Sequence, residues 1–69
     1  MYVRDTESQK FLTSAGQWSA EKREAQDFST FDLASEAGSR SRAAEFDVLL
    51  HFPLSDSLLV LDHFCNLKN

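Results

Sequence analysis

The stretch Phe46 to Phe52 sets Phe46, Val48, Leu50 and Phe52 on one side of an extended chain and Asp47, Leu49 and His51 on the other. That period of two is the pattern of a β-strand. Pro53 follows at once and, having no N–H to give to a ladder, stops it. Leu54-Ser55-Asp56-Ser57 reads as a turn, and the apolar run Leu58 to Phe64 returns as an antiparallel partner. A helix competes over this second run, since Asp62, His63 and Asn66 cluster on a helical wheel opposite Leu58, Val60, Leu61, Phe64 and Cys65. The turn lying between two apolar runs favours the strand.

The N-terminal half carries weaker signals of the same kind. Tyr2 to Asp5 and Lys10 to Thr13 are short aromatic or β-branched segments flanking the polar run Thr6 to Gln9, as in a β-hairpin. Ala15-Gly16 supplies another turn, Gln17-Trp18 leads out of it, and Ser19 to Ala25 has the composition of a helical turn or two. The main helix is predicted from Phe28 to Leu33. Ser29 as N-cap puts Asp32 at the third helical position, an S-x-x-D capping box, and sets Phe28 and Leu33 in the two places of a hydrophobic staple. Leu33, Ala37, Ser41 and Ala44 share a stripe that carries the helix to about Ala44, while Gly38 before Ser39-Arg40-Ser41-Arg42 offers an earlier C-cap.

With Tyr2-Val3-x-Asp5, Phe11-Leu12, Gly16-x-Trp18 and Ala25-x-x-Phe28, the first half resembles small uncharacterised bacterial and phage proteins. The resemblance covers about Tyr2 to Ala37 and implies a hairpin followed by a capped helix, with no activity attached.

A chain of 69 residues has room for one domain spanning residues 1–69. Such a chain buries only about 60% of the surface it exposes when unfolded, and small domains usually lean on a disulfide, a metal or a partner subunit. Its 42% hydrophobic content with one Pro and two Gly is that of a folding chain. Cys65 is the single cysteine, so no internal disulfide forms. Elimination leaves self-association, and a homodimer is expected. The net charge of −4 is a poor match to phosphate backbones, so no nucleic-acid partner is expected. Met1 to Asp5 lacks the basic start and apolar run of a signal peptide, and Leu58 to Leu61 is too short to span a bilayer. A cytoplasmic protein without membrane contact is the expectation.

Each chemical constellation has a plainer reading. His51, His63 and Cys65 are potential metal ligands, but a structural zinc site needs four. Pairing Phe52 with Ser57 also places the two histidines about six strand residues, roughly 20 Å, apart. His63 and Cys65 share a strand face without an orienting third group or an oxyanion-hole turn, so neither metal, cofactor nor enzymatic activity is expected. Glu21 with Glu24 and Asp27 with Asp32 read as solvated pairs, and Arg40 and Arg42 as partners for Glu36 and Glu45 on a helix face. Trp18 is either core or an interface anchor.

The expected fold is α+β: an antiparallel sheet of an N-terminal and a C-terminal hairpin with one main helix packed on it. Both faces of the C-terminal hairpin are apolar, which points to a protein-interaction module that self-associates, with Trp18, Leu49, Leu59 and Leu61 as interface residues. The alternative is a small acidic inhibitor or decoy whose carboxylates imitate phosphates toward a nucleic-acid-handling partner.

Overall fold

In the computed structural model, which describes residues 1–66, the alternating segment forms strand β4 (Glu45–Phe52), and the run after the Pro53 turn returns as β5 (Ser57–Cys65). The second run is therefore strand rather than helix. The hairpin closes with Phe52 opposite Ser57, and Asp56 sits in the turn at φ 53°, a left-handed conformation that Asp tolerates better than most residues.

Strand β1 (Tyr2–Asp5) lies beside β4, with Tyr2 opposite Leu49 and Asp5 opposite Phe46. Its other edge pairs with β2 (Phe11–Leu12), which in turn pairs with β3 (Trp18–Ser19). The sheet is antiparallel throughout, in the order β3-β2-β1-β4-β5. The N-terminal hairpin is thus extended by a two-residue third strand, and Gly16 makes the intervening turn at φ 76°. Lys22–Glu24 form a single 3₁₀ turn.

Helix α1 spans Phe31–Arg40 and begins one residue later than the capping-box reading places it. Thr30, not Ser29, is the N-cap, and its Oγ1 accepts the Leu33 backbone N–H at 3.2 Å. Phe28 stays outside the helix and buried, its N–H donating to the Met1 carbonyl at 2.7 Å, while Leu33 is half exposed. No staple joins them. Ala34 and Gly38, rather than Leu33, are the buried residues of the helix.

The helix also ends before Ala44, and Gly38 is not its cap. Ser41 is the C-cap: its N–H reaches the carbonyls of Ala37 and Gly38, and its hydroxyl donates to the Gly38 carbonyl at 2.6 Å. From the end of β5, Asn66 donates its Nδ2 to the carbonyls of Gly38 and Ala43. The bonds to Ala37 and Gly38 use carbonyls that a helix end otherwise leaves orphaned.

Between helix and sheet, Val3, Leu12, Phe28, Ala34, Ala43, Phe46 and Val48 form one core, with Trp18, Phe31, Ala37 and Phe64 against its margin. Phe46 stacks on Phe64 at 5.0 Å between ring centres. Fully burying a side chain such as Phe46, Val3 or Val48 contributes on the order of 1.5–3 kcal/mol. No described helix is long and apolar enough to cross a membrane.

Candidate functional site

The face of the sheet away from α1 has a polar end and an apolar end, and an irregularity in β5 divides them. From the turn inward, Phe52 opposes Ser57, His51 opposes Leu58, Leu50 opposes Leu59 and Leu49 opposes Val60. Beyond that point Val48 opposes Asp62 and Asp47 opposes His63, so Leu61 is an extra residue, a β-bulge. The bulge matters electrostatically. An unbroken ladder from the turn would set Asp47 against Asp62 and His63 against the core residue Phe46. With Leu61 left over, Asp47 meets His63 and Phe46 meets Phe64.

At the polar end, His63 Nδ1 lies 2.7 Å from Asp47 Oδ1, and its Nε2 lies 3.1 Å from Glu45 Oε1. Asp47 is buried, and its second oxygen accepts from Arg4 at 3.5 Å. The hydrogen bonds to Asp47 and then Glu45 hold the His63 pKa above its ordinary value, since both carboxylates favour the charged ring. With both ring nitrogens on carboxylates, neither is directed at the exposed thiol of Cys65 two residues on. Among the described residues no group of three or more His, Cys, Asp or Glu is arranged to hold a metal ion.

His51 sits at the other end of the hairpin, as the pairing of Phe52 with Ser57 requires. Its ring stacks on Tyr2 at 5.5 Å, and its Nε2 lies 2.9 Å from Asp56 Oδ1. Lys22 of the 3₁₀ turn also pairs with Asp56. The hydrogen bonds from Lys22 and then His51 hold the Asp56 carboxyl below the usual carboxylate range. These contacts tie the base of the turn to the body. Arg40 pairs with Glu36 one helical turn earlier, at 2.6 Å, and Glu21, Glu24, Asp27 and Asp32 are all exposed.

The residues singled out for an interface separate into two groups. Leu49 is fully buried and has no surface to offer. Trp18 is half-buried against the margin of the helix-side core. Leu59 and Leu61 remain 50% and 39% exposed, and Val60, Phe52 and Leu54 join them at 48%, 43% and complete exposure. The exposed set is therefore the outer half of the β4–β5 hairpin, and it includes three residues the sequence reading did not select.

Element lengths explain why the helix side of this end is bare. Ten helical residues reach about 15 Å, whereas eight strand residues reach about 27 Å. Helix α1 lies over β1 and the inner part of β4, where Gly38 meets Phe46. It cannot also cover the tip. Comparing the two lengths flags Phe52, on the helix side of β4, whereas Val60 opposes Leu49 on the other side of the sheet. Set against known protein families, curated proteins and solved structures, the chain matches none.

Proposed function

We propose that this chain is a non-catalytic protein-interaction module that self-associates through the outer half of the β4–β5 hairpin, acting in the cytoplasm where a lone cysteine stays reduced. The observation that carries the reading is the exposed set Phe52, Leu54, Leu59, Val60 and Leu61, all on the one β4–β5 hairpin with members on each of its faces. Scattered exposed leucines are ordinary on a protein surface, but a cluster at one end of a small domain is the mark of a contact site. A domain of this size also gains most from burying such a cluster, because its own core is small.

The test is solution mass by light scattering after size exclusion, over a hundredfold range of concentration and at low and high salt. A dimer that survives high salt is expected, because apolar burial is not screened. Leu59→Asp or Leu61→Asp should shift the mass to monomer while the circular dichroism spectrum stays unchanged. A monomer at every concentration overturns the reading. Weight would then pass to the acidic-decoy alternative, which requires a basic partner and salt-sensitive binding.

A further inference from the structure

We infer that the second copy binds edge to edge, β5 against β5 in antiparallel pairing, so that two sheets join into one. This inference rests on the self-association just proposed and names its geometry.

The two edges of the sheet are unlike. At one end β3 is two residues long, and the neighbouring bridge between Thr13 and Ala25 brings the following segment alongside. At the other end β5 runs nine residues, and among the described residues no strand lies on its outer side. A long edge with apolar side chains presents alternate N–H and C=O groups ready to pair with another strand. Antiparallel pairing of a strand with its own copy satisfies these groups and closes as a twofold dimer.

The bulge selects the register. Ser57, Leu59, Asp62 and Phe64 oppose the β4 residues of the helix side, whereas Leu58, Val60, His63 and Cys65 oppose those of the other side. A twofold axis through the sheet must pair like faces. Over eight strand residues two registers do so away from the axis, one centred between Val60 and Leu61 and one between Leu61 and Asp62. The second makes the two Asp62 carboxylates near neighbours across the strands. The first sets Val60 against Leu61, Leu59 against Asp62 and Leu58 against His63. It separates the two Asp62 residues by three positions, about 10 Å. Apolar side chains then meet at the centre, and no like charges stand opposite one another, the arrangement that stabilises cross-strand pairs.

Both copies bring apolar surface to this overlap, since Leu59, Val60 and Leu61 lie within it and are exposed, whereas Phe52 and Leu54 lie on β4 and in the turn outside it. An eight-residue antiparallel overlap adds about eight backbone hydrogen bonds, within the usual range for an interface.

The experiment is amide hydrogen exchange by NMR on the labelled chain, dilute and concentrated, beside the light-scattering mass. Alternate β5 amides, those not bonded to β4, should exchange at least tenfold more slowly in the concentrated sample. In a mixed labelled and unlabelled dimer, isotope-filtered contacts should join Leu59 to Asp62 of the second copy. A dimer whose outward β5 amides stay unprotected overturns edge pairing and leaves self-association standing. Protection with contacts from Leu61 to Asp62 of the second copy overturns the register. A monomer throughout overturns both this inference and the proposal beneath it.

Discussion

Asp47 reaches the ring of His63 at 2.7 Å because Leu61 is left out of the ladder between them and the hairpin turn. One surplus residue converts an opposition of two aspartates into an acid–histidine pair, and it moves Phe64 onto Phe46 in the same step. The pair has a measurable signature.

The His63 pKa, followed by NMR of the ring protons, should lie above the ordinary histidine value of about 6.5, and Asp47→Asn should move it down. The linkage has a definite sign. Since the folded pKa is the higher one, the stabilisation is fully present below about pH 6.5 and disappears as the pH rises through the folded value. The urea midpoints of wild type and Asp47→Asn should therefore converge on the alkaline side. Asp56 acts in the opposite sense: its lowered pKa stabilises above the ordinary carboxylate value and is lost as the pH falls through the folded one. A His63 titration at or below the ordinary value would contradict the pairing.

Gly38→Ala should destabilise the protein, against the usual helical preference for alanine. A Cβ on Gly38 would sit 2.6 Å from Phe46 Cζ and nearer still to two other ring carbons, and Phe46 is fully buried with Phe64 stacked against it. Overpacking of this kind costs about 1–3 kcal/mol, which outweighs the ~1 kcal/mol that alanine gains in a helix. A urea titration decides it: an unchanged or raised midpoint would mean that helix and sheet can separate freely.

The two candidate caps are separable by mutation. Thr30→Ala removes the acceptor for the Leu33 N–H and should cost about 1 kcal/mol, whereas Ser29→Ala should stay within about 0.5 kcal/mol of wild type. The reverse order in thermal or urea unfolding would restore the earlier helix start.

The strands of the hairpin and the existence of the helix were legible because they rest on local patterns: alternation in Phe46–Phe52, a breaker at Pro53, capping residues before Phe31. What was hidden depended on distant partners. Ser29 and Thr30 are both capping types, with Ser the better by rank, yet it is Thr30 that accepts the Leu33 N–H. The helix end follows from Asn66, which arrives from the far end of β5 to take the Gly38 and Ala43 carbonyls. Strand β3 is too short for any periodicity to reveal. The bulge left no mark either, since Leu58 to Leu61 is apolar whichever residue is surplus. For the exposed surface, alternation tells which residues share a face, as Leu50 and Leu59 do across the hairpin. Alternation cannot tell which strand lies at the edge, and Leu49, flanked by Tyr2 on β1 and Val60 on β5, is covered where Val60 is not.

The central position of β1 has a consequence for how the molecule comes into being. Residues 2–5 leave the ribosome well before β4, which is one of their two neighbours. Until Leu49 is available to Tyr2, the early hairpin has one bare flank and the helix no finished floor. Closure over so long a stretch of chain is slow by comparison with local pairing. Acquisition of the native sheet must therefore wait for β4, and a nascent chain halted before it leaves the free flank of β1 open to whatever surrounds it.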